Sequence, residues 1–368
     1  MPKALSFFRK DSMSNMLDYL LWRGDLSLKK AAFNDIDALI LSRMIYTKFD
    51  GIVPNGYLSG TITIREAIKQ VLAKTPASEH EDHKLLQLLI KSPRFSGLHL
   101  CAYTSHFDPV AQEQFFAMTV LLQDETAIAL FRGTDATLVG WKENFNTVFL
   151  PEVPSQRSAV QYLERLGNFY GGYLRLAGHS KGGNLAMYAS VFANALTRRR
   201  IIRVCNFDGP GFREEALLQP GFAEMQSRIT TYLPQASIIG LLFEQAEQFT
   251  IIHSDNLSIF QHNLYSWQIL GKEFIREPAL TRESLAFDSA IKHFLTQMPQ
   301  EQREKLINSV YQILENAGIK TIGQLGELKN LTAIFRAAKN LEPETQKALY
   351  ESFRFLQKRT VINKNSPA

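Results

Sequence analysis

The chain has 368 residues, 45% of them hydrophobic and 21% charged, with a formal net charge of +5. That is room for one large α/β domain with attachments or for two domains, and the balance is that of an ordinary globular protein, not a disordered or fibrous one. The longest apolar runs, such as Ser237 to Phe243, are far too short to cross a bilayer, and two cysteines, Cys101 and Cys205, make neither a disulfide framework nor a metal-ligand spacing.

Lys3, Arg9, Lys10 and Asp11 open the chain with no sustained apolar stretch behind them, unlike a signal peptide, so a cytoplasmic location is expected. From Ser14 to about Lys91 the pattern is mostly helical. Asn15 to Trp22 ends at Gly24, Asn34 is placed to cap a helix over Asp35 to Leu41, and further helices begin at Thr63 and near His83. His80 and His83 sit among Glu79, Glu81 and Asp82, which reads as a solvated polar stretch because no third ligand lies at a recognised metal spacing.

Near residue 98 the period changes. Leu98–Tyr103, Phe116–Leu122 and Ala127–Phe131 are short β-rich runs, and the turn at Gln123–Thr126 predicts a hairpin between the last two. A helix follows over Ser158–Leu166, then strands at Tyr173–Ala177, Ile201–Phe207, Arg228–Leu233 and Gln248–His253 with helical pieces between. Such alternation predicts a mostly parallel sheet covered on both faces. Arg198, Arg199 and Arg200 stand where a helix should end, which suits its negative dipole end better than a nucleic-acid patch. Beyond about residue 275 only helical spacing persists, through Leu306 to Leu314 and again over Thr345–Lys358. The predicted organisation is a helical N-terminal region (1–95) packed on a core (96–275), followed by a helical C-terminal extension (276–368) whose partner is unknown.

Between the strand at Tyr173 and the apolar helix at Asn184 lies Gly178-His179-Ser180-Lys181-Gly182-Gly183. A serine flanked by small residues at a strand-to-helix corner is the nucleophile-elbow pattern G-x-S-x-G. The turn is strained, and the following helix aims its N-terminal donors at any oxygen beside the serine. By composition the pentapeptide alone arises by chance in roughly one chain in ten of this length, so its weight depends on partners elsewhere.

A hydrolase of this architecture needs an oxyanion hole, an acid and a histidine, in the chain order serine, acid, histidine. The backbone N–H of Lys181 is one candidate oxyanion donor. The other is Thr134, in Arg132-Gly133-Thr134-Asp135 at the end of an early strand. Three histidines follow the serine: His253 ends a strand, His262 lies on the loop beyond, and His293 falls in the helical tail. His262 is favoured over His253 because a loop residue can both reach the serine and meet a carboxylate. The usual place for the acid, Leu233-Pro234-Gln235-Ala236-Ser237, holds no carboxylate. One strand earlier Asp208 stands in Asn206-Phe207-Asp208-Gly209-Pro210-Gly211-Phe212 and is the preferred acid, with Asp255 as fallback.

Phe131-Arg132-Gly133-Thr134, Trp141-Lys142-Glu143-Asn144-Phe145 and the Gly178–Gly183 stretch together resemble the class-three (fungal-type) lipases. In that family the residue after the Arg-Gly pair serves the oxyanion hole, a role the resemblance carries to Thr134. The chain more closely resembles a bacterial lipase-like α/β-hydrolase family of unassigned function. That resemblance rests on Tyr19-Leu20-Leu21-Trp22-Arg23-Gly24-Asp25, on the Asn206–Phe212 stretch, and on Gln261-His262 with Trp267. It spans about Asn15 to Leu270 and implies an α/β-hydrolase fold. Two features depart from the class-three pattern. Lys181 replaces the usual leucine, which predicts a cation beside the serine that favours acidic substrates or lowers the basicity of the histidine. The displaced acid resembles that of pancreatic-type lipases, where it follows the earlier strand.

The expectation is a serine hydrolase of carboxylic esters, lipid-like or smaller, with Ser180, His262 and Asp208 as triad and Thr134 and Lys181 as oxyanion donors. It needs no metal or organic cofactor and binds no nucleic acid, and transient contact with a membrane surface is compatible with a lipid ester. The segment Phe145–Pro151 is read as a lid or acyl-pocket wall, or else as a buried connector. The competing expectation is a catalytically silent hydrolase fold used for binding.

Overall fold

The strand Thr126–Phe131 sends Ala127, Ala129 and Phe131 into one apolar cluster and Ile128 and Leu130 into another, all fully buried. A strand apolar on both faces belongs at the centre of a covered sheet. This computed structural model describes residues 14–134, 142–144, 146–147, 150–297 and 299–316. Its main sheet runs in chain order: β1 (Ile62–Thr63), β2 (His99–Asp108), β3 (Glu113–Leu121), β4 (Thr126–Phe131), β5 (Tyr173–His179), β6 (Ile201–Phe207), β7 (Ile229–Pro234) and β8 (Phe249–Ile252). The pairings from β1 to β4 are antiparallel, including the β3–β4 hairpin anticipated at Gln123–Thr126. Those from β4 to β8 are parallel.

Helices α1 (Met16–Arg23), α2 (Asp35–Met44) and α3 (Ile64–Lys74) each begin with a capping box, at Asn15, Asn34 and Thr63. Each box satisfies backbone donors that the first turn leaves without partners. A fourth, α4 (Glu81–Lys91), is capped by the ring of His80. Between the parallel strands come α5 (Pro154–Phe169), α6 (Lys181–Phe192), α7 (Ala195–Arg200), α8 (Glu214–Leu217) and α9 (Pro220–Met225).

The strand order explains how the layers form. Parallel strands that step steadily in one direction through right-handed crossovers put every connecting helix on the same face. Accordingly Leu163 and Leu166 of α5, Leu185 and Met187 of α6, and Phe222 and Met225 of α9 share one cluster. The other face is covered by α1 to α4, through Tyr19, Leu39, Ile40, Ile68 and Leu89. The N-terminal helices are therefore the second layer of the sandwich.

Arg198 pairs with Glu224 at 2.6 Å, and Arg200 donates to the Gly167 and Tyr170 carbonyls at the end of α5. Arg198 and Arg200 are thus engaged in holding helix ends. Both cysteines are free and buried, and burial pushes the Cys101 thiol up to about 11. Helices α10 (Arg282–Gln297) and α11 (Gln300–Asn316) follow the sheet. Thr281 N–H bonds to the Gln235 carbonyl at 2.7 Å, and Asn308 receives a hydrogen bond from Lys142 at 2.8 Å, so this segment lies against the loops at the strand ends. The amphipathic stretch anticipated at Thr345–Lys358 lies outside the described residues. No helix among the described residues is long and apolar enough to cross a membrane.

The N-terminal layer is organised by a buried ion pair. Arg94 and Asp37 are both fully inaccessible, with Arg94 Nε 2.6 Å from Asp37 Oδ1. Arg94 also donates to the carbonyls of Leu26, Ala31 and Ala32, and Asp37 receives the Tyr19 hydroxyl at 3.0 Å. Removing one partner leaves the other charged and dry. Arg94→Met should therefore cost about 3–5 kcal/mol, read as a lower urea midpoint.

Candidate active site

Ser180 stands at the corner between β5 and α6 with φ +58°. An L-residue pays strain there, and such strain persists only where neighbours enforce it. Here the Ser180 N–H continues the ladder to the Phe207 carbonyl at 2.9 Å, while the Gly183 N–H caps the Ser180 carbonyl at 2.9 Å. The next corner repeats the device. In the β5–β6 register His179 faces Phe207, so Asp208 ends β6 at the height where Ser180 ends β5, and its φ is +50°. The Asn206 side chain brackets that turn, accepting from Gly209 N–H at 2.9 Å and donating to the Gly209 carbonyl at 3.1 Å.

Asp208 is 1% exposed, and its Oδ2 lies 2.6 Å from Nδ1 of His262. Its Oδ1 accepts from the Ser237 hydroxyl at 2.5 Å and the Gly240 N–H at 3.2 Å. The loop after β7, the usual home of the acid, thus supplies donors that hold an acid from the neighbouring strand. Because a carboxylate only accepts, Nδ1 of His262 carries a proton, and in the neutral ring Nε2 then holds a lone pair. His262 is 26% exposed on its side chain. Ser180 Oγ makes no hydrogen bond to any described residue, and apo contacts of this kind often tighten only with substrate bound.

The loop after β4 approaches the same corner. A Cβ at Gly133 would fall 2.6 Å from the His179 carbonyl oxygen and 3.1 Å from Ser180 Cβ, so only glycine permits the approach. A Cβ at Gly182 would fall 2.1 Å from the Phe131 carbonyl oxygen, which seats the start of α6 on that loop. Thr134 follows, its hydroxyl oxygen accepting from the Asn144 amide at 2.7 Å. The Thr134 hydroxyl proton is then available to a second acceptor. Lys181 is the first residue of α6, a position whose N–H has no intrahelical partner.

The Lys181 side chain corrects the expectation of a cation beside the serine. It is 5% exposed and turned inward, with Nζ 2.7 Å from Glu143 Oε2 and 2.6 Å from the Gln114 carbonyl. Glu143 is fully buried and also accepts from the N–H groups of Gln114 and Ser155. The charge is spent on binding α6 to β3 and to the start of α5, so it neither faces a substrate nor acts on His262. Phe145, Val148 and Phe149 of the segment read as a lid lie outside the described residues, as do Trp141 and Asp135.

The alternative residues form a separate group. His253 Nδ1 lies 2.5 Å from Glu277, with Nε2 3.4 Å from Asp255, and neither His253 nor Asp255 meets Asp208. His293 lies on α10. A cavity of about 420 Å³ opens at His262, lined also by Arg43, Glu81, His179, Asn263 and Tyr265. A larger one of about 630 Å³, lined by Ile238, Leu257 and Phe287 among others, touches neither Ser180 nor His262.

Two neighbours escaped the sequence reading. His179 is buried, with its ring centroid 4.4 Å from that of His262, and Tyr46, just beyond α2, bonds to it at 2.9 Å. Burial, then His262, then the Arg43 guanidinium hold the His179 pKa well below its ordinary 6.5. The unfolded chain accepts a proton near that value which the folded chain refuses. This contribution to stability is therefore complete above about pH 6.5 and declines as the pH falls from there. Urea titrations at successively lower pH should show that decline in the wild type and a shallower one in His179→Gln.

Comparison with known proteins adds a family. The model described as Mbeg1-like matches residues 89–312. No curated protein matches the chain. Among solved structures, the native Rhizomucor miehei lipase propeptide complex is similar at 12% identity, over 60% of this chain and 70% of that one, with a TM-score of 0.36. A deletion mutant of the same complex is similar at 14% identity, over 59% and 65%, with a TM-score of 0.33. Both likenesses are too remote to bear on chemistry. The chain belongs to the Mbeg1-like family, a lipase-like family, and its 8-stranded, mostly parallel sheet with flanking helices is an α/β fold.

Proposed function

We propose that this member of the Mbeg1-like family is a serine hydrolase of carboxylic esters, on an α/β-hydrolase fold, with Ser180 as nucleophile. The observation that carries the reading is the 2.6 Å bond from His262 Nδ1 to the buried Asp208, placed level with a serine held at positive φ. His262 Nε2 takes the Ser180 proton as Oγ attacks the carbonyl and returns it to the leaving alkoxide. Asp208 holds the ring in that tautomer and stabilises the imidazolium. The Lys181 N–H and the Thr134 hydroxyl receive the oxyanion of the tetrahedral intermediate. Water then repeats the sequence on the acyl-enzyme, releasing the acid. These steps draw on side chains and backbone alone.

Labelling the purified full chain with a fluorophosphonate probe is the direct test. Labelled wild type, with folded Ser180→Ala and His262→Ala both unlabelled, is the expected result. A folded wild type that stays unlabelled would favour a silent fold used for binding, a reading to which the unengaged Ser180 hydroxyl lends its support. Thioesters and amides pass through the same intermediate, so labelling would be followed by a screen of acyl leaving groups.

Thr134→Val removes the hydroxyl while keeping the shape. It should lower kcat by about a hundredfold with KM for a short ester little changed, because the lost bond belongs to the transition state.

A further inference from the structure

The middle position of the Gly-His-Ser segment takes no part in the chemistry above, yet His179 is buried at the centre of it. Its Nε2 lies 3.0 Å from the backbone carbonyl oxygen of His262. A carbonyl only accepts, so Nε2 carries the proton. In the neutral ring Nδ1 is then bare, and the Tyr46 hydroxyl, 2.9 Å away, donates to it. This tautomer satisfies both ring nitrogens, whereas the other, although its Nδ1 could donate to the Tyr46 hydroxyl oxygen, would set a bare Nε2 against the carbonyl with no proton between them.

Tyr46 reaches further. A Cβ on Gly133 would fall 2.2 Å from its hydroxyl oxygen, so the loop carrying Thr134 packs directly against it. Its ring is braced by the Arg43 guanidinium 4.8 Å from the ring centroid, and Asp82 holds that guanidinium through two bonds of 2.7 and 2.6 Å. The same Asp82 receives the Tyr265 hydroxyl at 2.7 Å, three residues beyond His262.

We infer that Tyr46 and His179 are positioning residues. They form a hydrogen-bonded relay from the Tyr46 hydroxyl through the His179 ring to the His262 carbonyl, which aims the His262 ring at Asp208 and ties it to the oxyanion loop at Gly133. The inference rests on the hydrolase reading. It also gives a reason for a neutral ring at residue 179. A charged ring 4.4 Å from His262 would oppose the positive charge that His262 acquires in the transition state. Burial of His179, with His262 and Arg43 beside it, favours the uncharged form.

The test compares wild type, His179→Leu, His179→Gln, Tyr46→Phe and the Tyr46→Phe/His179→Leu double variant in hydrolysis of p-nitrophenyl acetate. His179→Leu should lower kcat by about a hundredfold with KM held within about twofold, since misplacement of a base costs turnover before binding. His179→Gln, whose amide N–H can reach the His262 carbonyl, should recover about tenfold of that loss. Tyr46→Phe, which keeps the ring and its packing, should lose about tenfold alone and nothing further in the His179→Leu background, as expected for groups acting in series. Independently of turnover, NMR of isotope-labelled histidines in the folded Ser180→Ala chain should find His179 neutral with its proton on Nε2.

Folded His179→Leu with wild-type kcat, or losses that add in full in the double variant, would overturn the relay. So would a charged or Nδ1-protonated His179, and that result holds even where a variant fails to fold. A wild type that is inert to both ester and fluorophosphonate would instead overturn the hydrolase reading, leaving the His179 tautomer to decide the relay as a structural statement.

Discussion

Two adjacent parallel strands end at the same height, each in an L-residue held at positive φ, and the upper edge of the sheet is arranged around that pair. Ser180 and Asp208 adopt this conformation because the bonds around them leave no relaxed alternative. Ser180 N–H is bound to the Phe207 carbonyl, and Asp208 N–H to the Tyr232 carbonyl at 2.9 Å. The ladder thus runs through each strained residue into the next strand. Strain of this kind costs about 1–3 kcal/mol per residue. It turns both side chains up from the sheet and fixes their spacing to that of neighbouring strands, which a flexible loop could not do.

Two buried charges near the edge and in the N-terminal layer are each met by an opposite one. Lys181 with Glu143 and Arg94 with Asp37 are pairs further bonded by backbone groups and, at Asp37, by the Tyr19 hydroxyl. Such pairs add little net stability compared with apolar packing, but removing one partner is costly. Their effect here is positional. Glu143 fixes the start of α6 to β3 and α5, and its neighbour Asn144 fixes the Thr134 hydroxyl. One short segment therefore holds the side chains of both residues proposed for the oxyanion hole.

Legibility in the sequence follows the range of each interaction. The elbow was readable because strand, glycines and helix are contiguous, and the hairpin and the Asn34 cap because their signals span a few residues. Asp208 was readable because tight-turn residues follow an apolar strand. Its 2.6 Å bond to His262 joins positions 54 apart and was anticipated only through sheet topology. The direction of the Lys181 side chain was not readable. A first-turn lysine can point to solvent or inward, and its partner Glu143 lies 38 positions earlier with no periodic signal between them. Tyr46 and His179 were missed for a related reason. A lone tyrosine after a helix and a variable residue inside a motif acquire a role only when 133 positions of chain close between them.

The same closure sets how much chain the site needs. The family match begins at residue 89, within α4, yet one face of the sheet is covered by residues that precede it. Connecting helices cannot supply that cover, because strands stepping one way commit them all to the opposite face. The cover also enters the site, since Tyr46, Arg43 and Asp82 come from the same layer and meet His179 and Tyr265. Cutting at the family boundary would therefore do two things together. It would expose the apolar side of β4 to β6, where Ile128, Leu130, Cys205 and Phe207 lie, and it would take away the hydroxyl bound to His179. The helical layer and the strained corner are physically one unit.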